Sequence, residues 1–243
     1  MQNVQMKKVV KMKMNFEPIA HIYNDFPTKF GLPRQSGMSE HLLSRIVMEK
    51  KYQNAEAFRG IEEFEFLWLI WLFQSMGKRE WSPTVRPPKL GGNKRMGVFA
   101  TRSPNRPNSI GLTRVRLMAV EQTHSNGPVL TVSGADLMSG TTILDIKPYL
   151  AFADSVPNAV SGSYDAHLNQ PLAVEIPENI ASLFSEEQLE TLKEVLAYDP
   201  RPGYQSQSER NYGFSYGKYD IRFKVVQDTI IVTDAIWLPN KRP

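Results

Sequence analysis

The chain has 243 residues, which allows one large domain or one medium-sized domain with a smaller one. Apolar residues make up 41% of it, enough for a sizeable core. The net charge is +4 and the pI is about 9.2, a mild basicity that is compatible with an RNA partner. There is no cysteine, which excludes a disulfide framework, a thiolate nucleophile and a cysteine-based zinc site, and favours a cytoplasmic protein.

The first fourteen residues, Met1 to Met14, carry four lysines and no acidic residue. They lack the apolar core that a signal peptide requires, and we expect a flexible basic N-terminus. The longest apolar run, Phe66 to Phe73, is far too short to span a bilayer.

The next hundred residues contain two β-prone stretches and one segment with helical spacing. Ile19 to Tyr23 and Ile61 to Phe73 are predicted to form strands, the latter buried on both faces at its end. Between them, Ser39 can act as an N-cap, and the apolar residues that follow predict a helix from Ser39 to about Tyr52.

A proline-stiffened loop from Gly97 to Leu112 is the most distinctive stretch of the chain. We predict a strand over Val98 to Thr101, a polar loop between two prolines, and a tight turn at Gly111 before the next strand. The polar side chains of this loop are Arg102, Ser103, Asn105, Arg106, Asn108 and Ser109. Guanidinium groups on a rigid loop suit a carboxylate or a phosphate, although an ordinary polar loop has similar composition.

Two further loops carry candidate binding residues. The proline- and glycine-rich segment 82–93 holds Arg86, which could contact an RNA phosphate or could simply be solvated. A strand over Val129 to Ala135 leads into residues 136–149, in which the segment 139–142 could expose several backbone N–H groups. Asp145 and Lys147 in this block could form an ion pair at the rim of a barrel or could act in a site.

The C-terminal part contains the strongest helix signal. Ser185 and Gln188 form a capping box, and an apolar face follows until the helix ends at Asp199-Pro200. Asp199 can cap or orient Arg201. The aromatic residues from Tyr212 to Tyr219 alternate with basic ones, which would suit stacking of unpaired bases. A hairpin around Gln227-Asp228 closes the chain.

Five blocks in the expected order resemble the TsaA-like family, the tRNA N6-threonylcarbamoyladenosine N6-methyltransferases. The blocks are Pro33 to Gln35, Phe64 to Trp68, Gly97 to Leu112, Asp136 to Tyr149, and Asp199 to Tyr204. The resemblance implies a mainly β fold. An antiparallel β-barrel that binds S-adenosylmethionine would span about residues 15–163, and a small α+β domain would follow over residues 164–243. A homodimer is also implied.

The resemblance also implies roles for individual residues. S-adenosylmethionine would be held by Pro33, Arg34, Gln35, Phe66, Leu67, Arg102, Leu112, Ser139, Gly140, Thr141 and Thr142. The acceptor would be N6 of threonylcarbamoyladenosine beside the anticodon of a threonine tRNA, with substrate or RNA contacts from Arg86, Arg106, Asn108, Lys147 and Tyr149. Catalytic roles would fall to Arg201, Tyr204, Asp199 and Asp145. No metal is implied.

The sequence departs from the family pattern at two places. Glu65 and Phe66 stand where serine and histidine are usual. A family contact made through the backbone could still come from Phe66 and Leu67, whereas one that needs the imidazole is lost. Ser139 replaces an aspartate and Thr142 a proline, and Ser139 would bind ribose hydroxyls less strongly than a carboxylate does.

Two other classes of function fit parts of the sequence. The mild basicity and the aromatic tail also suit a non-catalytic RNA-binding module. A hydrolase that uses aspartate and histidine would need a histidine in a matched block, and none of the four histidines lies in one.

Overall fold

The computed structural model describes residues 15–73, 81–87, 95–162, 164, 171–201 and 210–239. The first two thirds of the chain are built mainly of strands. They are β1 (Ala20–Tyr23), β2 (Leu43–Met48), β3 (Phe66–Leu72), β4 (Thr84–Val85), β5 (Met96–Gly97), β6 (Ile110–Thr123), β7 (Gly127–Ser133) and β8 (Thr141–Pro148).

Six of these strands close into a barrel in the order β1-β2-β7-β6-β3-β8, and β8 pairs back onto β1. Every pair in the barrel is antiparallel. Strands β4 and β5 form a separate two-stranded pair. This architecture confirms the predicted antiparallel β-barrel.

The barrel interior is filled by alternate residues of each strand, as the two-residue period of a strand requires. On β3, Leu67, Leu69 and Trp71 point inward and are buried, whereas the residues between them are half-buried on the outer face. The prediction that this strand is buried on both faces is therefore correct only for its inner face. The predicted strand from Ile61 is also too long at its start, because Ile61–Glu63 form a 3₁₀ turn.

The C-terminal part combines short helices with a second sheet. Its elements are α1 (Ala151–Asp154), β9 (Ala173–Glu175), α2 (Glu178–Ala181), α3 (Glu186–Ala197), β10 (Tyr212–Tyr216), β11 (Tyr219–Val226) and β12 (Thr229–Trp237). The sheet order is β10-β11-β12-β9, with β9 parallel to β12. Phe26 of the barrel part lies 5.0 Å from the ring centroid of Tyr216, so the core is continuous across both parts.

Helix α3 begins as the sequence predicts. The Ser185 hydroxyl accepts the Gln188 N–H at 3.2 Å, and the Gln188 side chain accepts the Ser185 N–H at 3.3 Å. Its buried face includes Leu192, Val195 and Leu196. The capping box and the apolar face are both confirmed, as is the hairpin of β11 and β12.

The helix predicted over Ser39 to Tyr52 is wrong. The segment forms β2 and then a single 3₁₀ turn, Lys50–Tyr52. Leu42, Ser44, Ile46 and Met48 all point into the barrel at a spacing of two. The spacing of four between Leu42 and Ile46 fits a helix and a strand equally well, and pairing with β1 and β7 decides for the strand.

Two local predictions in the proline-stiffened loop are also wrong. Val98–Ala100 form a 3₁₀ turn instead of a strand, closed by the Thr101 hydroxyl that donates to the Val98 carbonyl at 2.8 Å. Gly111 lies inside β6 and does not turn the chain. A Cβ there would stand 2.2 Å from the Trp71 ring, so glycine is required by close packing.

The aromatic residues of β10 do not offer a surface for stacking bases, as the alternation with basic residues had suggested. Tyr212, Phe214 and Tyr216 are all buried and pack into the C-terminal core. Their strand period of two places them on the inner face of the sheet.

Candidate active site

One end of the barrel carries the long connections of the N-terminal part. Strands β1, β3 and β7 end there, and β2, β6 and β8 begin there. The connections 24–42 and 134–140 and the described parts of 73–109 therefore meet at this end, which we call the loop end. It holds most of the residues that the sequence predicts for a site.

Asn24 fixes two of these connections to each other. Its Nδ2 donates to the Leu137 carbonyl at 2.9 Å and to the Ser44 hydroxyl at 3.2 Å. Its backbone N–H donates to the Ser139 hydroxyl at 3.3 Å, and its Oδ1 accepts the Phe26 N–H at 2.9 Å. The sequence analysis missed Asn24, although an asparagine directly after a strand is a common turn residue.

The segment 139–142 does not present the row of N–H groups that the sequence suggested. The N–H groups of Ser139, Gly140 and Thr141 donate to the carbonyls of Phe26, Ile22 and Met138. The hydroxyl of Thr142 lies 3.3 Å from Nε2 of His21 on the outer surface of the barrel. This segment therefore offers side-chain hydroxyls at the loop end, with the amides of 139–141 used to hold its fold.

Two arginines of the proline-stiffened loop have defined partners. Arg102 donates through Nη1 to Oε1 of Gln35 at 2.9 Å, which joins the loop 24–42 to this loop. Arg106 donates to the Thr101 carbonyl at 3.0 Å and thereby closes its own loop. Two signature blocks that were each predicted to hold the cofactor are therefore in contact through Gln35 and Arg102.

The end of helix α3 is brought to the same place. Arg34 donates through Nη2 to the backbone carbonyls of both Asp199 and Arg201. Asp199 accepts from Nε of Arg201 at 2.8 Å and from its Nη2 at 2.9 Å, and this pairing raises the pKa of Arg201. The prediction that Asp199 orients Arg201 is confirmed as geometry. The Arg201 guanidinium also lies 5.8 Å from the Tyr212 ring.

The backbone at Asp199 explains why the chain turns here. Its φ is 49°, in the left-handed region that aspartate and asparagine adopt more readily than most residues. Its N–H donates to the Leu196 carbonyl at 2.8 Å, which ends the helix. Pro200 then prevents continuation of the helix. Tyr204, the other residue predicted in this block, lies outside the described residues.

A partly buried carboxyl group lies beneath the loop end. The Thr113 hydroxyl donates to Oδ1 of Asp136 at 2.7 Å and accepts Nε1–H of Trp71 at 3.0 Å. Burial raises the pKa of Asp136, and the charge of Arg102 opposes that effect. The sequence analysis gave Asp136 no role, although its place at the start of a signature block and the inward-facing polar Thr113 were available signals.

Five predicted residues lie toward the opposite end of the barrel. Tyr149 follows β8, and its N–H donates to the Phe66 carbonyl at the start of β3. The Leu67 side chain is buried in the barrel core. Lys147 pairs with Asp145 at 2.8 Å, which is the rim ion pair that the sequence allowed.

Aromatic rings and arginines stack on the outer face at that end. The Arg114 guanidinium lies 4.8 Å from the Phe66 ring centroid and 5.7 Å from that of Tyr149, and Arg116 lies 4.7 Å from Phe66. The Trp68 indole N–H donates to Asp154 at 3.0 Å. The structure therefore separates Phe66 and Tyr149 from Gln35 and Arg102.

The remaining predicted residues are more exposed. Arg86 and Asn108 are on the surface, and Leu112 points outward from β6 with 55% of its surface exposed. Pro33 lines a small cavity between the loop 24–42 and the end of α3, together with Pro200 and Tyr198.

Two further findings bear on the class of site. The described parts of the chain contain no group of three or more His, Asp or Glu residues placed to hold a metal ion. None of their helices has the length and apolar character needed to cross a membrane.

Comparison with known proteins gives consistent matches along the chain. The model of the tRNA-methyltransferase O N-terminal domain matches residues 21–155, and that of the TrmO C-terminal domain matches residues 169–236. The tRNA (adenine(37)-N6)-methyltransferase of Escherichia coli (strain K12) is 39% identical over 219 residues, which cover 86% of this chain and 92% of that protein.

Other relatives agree. A Pseudomonas aeruginosa protein named for S-adenosylmethionine-dependent methyl transfer, RcsF, is 35% identical over 228 residues, covering 90% of this chain and 96% of that protein. A crystal structure of TrmO superposes with a TM-score of 0.75 at 30% identity, covering 93% of this chain and all of that one. With two family models that match successive parts of it, the chain belongs to the tRNA-methyltransferase O family.

Proposed function

We propose that this protein methylates N6 of threonylcarbamoyladenosine at position 37, next to the anticodon of a threonine tRNA, in the cytoplasm. Its family membership makes it an S-adenosylmethionine-dependent tRNA (adenine37-N6)-methyltransferase. The identity of the modified base and of the tRNA is the proposed part. The observation that carries the proposal is the meeting of three signature blocks, at Arg34-Gln35, Arg102 and Asp199–Arg201, at one end of the barrel.

The residues at the loop end fit S-adenosylmethionine by the chemistry of their side chains. The Arg102 guanidinium, held by Gln35, suits the carboxylate of the cofactor. The hydroxyls of Ser139 and Thr142 suit ribose hydroxyls, and the exposed Leu112 suits an aromatic base. When bound, the cofactor supplies a methyl group that is already activated by a positively charged sulfur.

We propose that the residues after α3 face the acceptor. The Asp199–Arg201 pair fixes the direction of a half-buried guanidinium, which could bind the threonyl carboxylate through its remaining donors. Arg106 and Tyr204 would contribute to the same side. Arg86 and Asn108 would contact the RNA around it. Lys147 and Tyr149, which lie toward the other end of the barrel, would contact RNA farther from the acceptor.

The reaction forms a bond between N6 and the methyl carbon, breaks the bond between that carbon and sulfur, and releases the proton of N6. The protein has to hold the two reacting groups in line and to accept or relay that proton. Both oxygens of Asp199 are engaged by Arg201, which favours a positioning role for this residue. Asp145 fits the base no better, because it lies toward the other end of the barrel and its oxygens accept from Lys147 and from the Ile146 N–H. Tyr204 is then the candidate for the base.

We also propose a homodimer. Phe66 and Leu67 lie in a block that resembles a cofactor block of the family, but they lie toward the other end of β3 from the loop end, roughly 20 Å away for a strand of this length. A second copy of the chain could bring its Phe66 to the site of the first. The segment after β8 supports an interface, because Phe152 is 88% exposed and the apolar side chains of Val156 and Val160 after it are also exposed.

The test is a methylation assay on defined RNA. We expect transfer of labelled methyl to threonine tRNA that carries threonylcarbamoyladenosine, and none to the same tRNA without that modification. Equal methylation of unmodified tRNA would contradict the proposed acceptor. Binding of tRNA with no methyl transfer to any of these RNAs would instead support the non-catalytic RNA-binding module.

A further inference from the structure

We propose that Arg34 is a positioning residue that holds the Asp199–Arg201 turn in its active shape, instead of acting chiefly as a ligand of the cofactor. The inference rests on the proposed function, because that function places Arg201 beside the acceptor. It assigns the Arg34 side chain a role that differs from the one its sequence block implies.

The hydrogen bonds of Arg34 carry the inference. Its Nη2 donates to the carbonyls of Asp199 and of Arg201, so one planar nitrogen binds both sides of Pro200. These residues are more than 160 positions away along the chain. Burial lowers the pKa of Arg34, but a guanidinium keeps its charge in proteins. The contact therefore stays charge-assisted under ordinary conditions.

The turn that Arg34 binds contains a residue in an uncommon backbone conformation. Asp199 has a positive φ, which costs an aspartate less than most residues but is still less favourable than an ordinary helical or extended conformation. Within the turn, the Arg201 N–H donates to Oδ1 of Asp199 at 3.2 Å. Without Arg34, the two carbonyls would lose a charged donor, and the direction of the Arg201 side chain would be less well fixed.

The next residue in the chain has a different partner. Gln35 binds Arg102, in the loop that we expect to hold the cofactor carboxylate. Neighbouring residues thus connect the barrel loops to the C-terminal turn on one side and to the cofactor loop on the other. This division predicts that changes at Arg34 and at Gln35 affect different steps.

The experiment compares Arg34→Lys and Arg34→Met in the full chain. We expect kcat to fall in the order arginine, lysine, methionine, by about a hundredfold for methionine, because a small displacement of a catalytic group has effects of that size. Calorimetry with S-adenosylmethionine should show a Kd within about threefold of the wild-type value. Arg34→Lys should keep part of the activity, because lysine retains the positive charge.

Hydrogen exchange gives a readout that does not depend on methyl transfer. We expect the N–H groups of Asp199 and Arg201 to exchange faster in both variants, most in Arg34→Met. Arg59→Met is the matched control, because Arg59 is an exposed arginine paired with Glu56, and it should change none of these quantities. Circular dichroism confirms that each variant is folded. If Arg34→Met does not fold, the comparison of Arg34→Lys with wild type decides alone.

Two results would overturn the proposal. One is a loss of S-adenosylmethionine affinity of about tenfold or more with unchanged exchange at Asp199 and Arg201, which would make Arg34 a cofactor ligand. The other is no change in kcat, Kd or exchange. A wild-type protein that methylates no tRNA would refute the proposed function alone, since calorimetry and exchange still test Arg34.

Discussion

The two ends of the barrel hold their arginines in different ways. At the loop end, Arg34, Arg102 and Arg201 donate hydrogen bonds to carbonyl, amide and carboxylate oxygens. At the other end, Arg114 lies over aromatic rings, a contact with little directional preference. Arg116 combines such a contact with an exposed ion pair to Glu65. The difference indicates that exact placement of charge matters at the loop end, as a site for chemistry requires.

The largest effect that this comparison predicts is on activity. Arg201→Ala removes the guanidinium that Asp199 orients, and we expect methylation to fall about a hundredfold or more because a fixed charge near the acceptor is lost. S-adenosylmethionine affinity should stay within about threefold of wild type, measured by calorimetry. Arg59→Ala serves as the control. Equal loss of cofactor affinity and activity would mean that Arg201 belongs to the cofactor site.

Next in size is the effect of Gly111→Ala on stability. The added Cβ would overlap the Trp71 ring, and we expect the free energy of unfolding to fall by about 1–3 kcal/mol. Gly97→Ala is the matched control, since nothing lies within 4 Å of a Cβ there. Denaturant titration of both variants would measure the difference. Equal stability of the two would show that the Trp71 ring moves aside easily.

Asp136→Asn should have a smaller effect that depends on pH. Because burial raises the pKa of Asp136, the native state holds its proton more strongly than the unfolded state does. The cost in folding stability of ionising Asp136 is therefore absent at acid pH. It grows as the pH rises from the pKa of Asp136 in the unfolded chain through its pKa in the folded protein.

Asparagine keeps the oxygen that accepts the Thr113 hydroxyl, so the variant should melt later than wild type near neutral pH. A gain of roughly 2–4 °C in Tm corresponds to about 1 kcal/mol for a chain of this size. The advantage should shrink on acidification. A gain that is the same at every pH would show that charge is not its cause.

The smallest predicted effect concerns the link between the loop 24–42 and α3. Nδ1 of His41 lies 2.6 Å from Oε1 of Glu194, and this hydrogen bond, with the charges of Glu194, Glu190 and Glu40, raises the pKa of His41. The stabilisation that this contact gives the folded protein is fully present below the pKa of His41 in the unfolded chain. It is lost as the pH rises through the pKa of His41 in the folded protein.

The His41 side chain is about half exposed, so we expect His41→Ala to lower the stability by less than about 1 kcal/mol. The loss should be larger near pH 5.5 than near pH 8.5, in roughly the range where histidine titrates. His124→Ala, in the turn between β6 and β7, is the control. A loss that does not vary with pH would exclude the ionic part of this contact.

The fold was predictable where the local pattern has one interpretation. The capping box at Ser185 and the hairpin at Gln227-Asp228 depend on neighbouring residues, and both are found in the structure. The helix predicted from Ser39 was wrong because its apolar spacing fits two periods, and the pairing that decides between them involves strands far away in the chain.

The site was predictable in composition more than in arrangement. The signature blocks indicated Arg34, Gln35 and Arg102, and the neighbouring positions of Asp199 and Arg201 suggested their pairing. The contact of Arg34 with the carbonyls of that turn could not be predicted, because the backbone atoms of any residue can accept such a bond. The burial of Asp136 depends in the same way on the closed barrel.

The most direct test of the account is titration calorimetry of S-adenosylmethionine into the wild-type protein, Arg102→Ala and Arg59→Ala. The account places the cofactor at the loop end, and it predicts binding by wild type and Arg59→Ala that is weakened about tenfold or more in Arg102→Ala, as loss of a charged hydrogen bond implies. Equal affinity of Arg102→Ala and wild type would contradict this location of the cofactor.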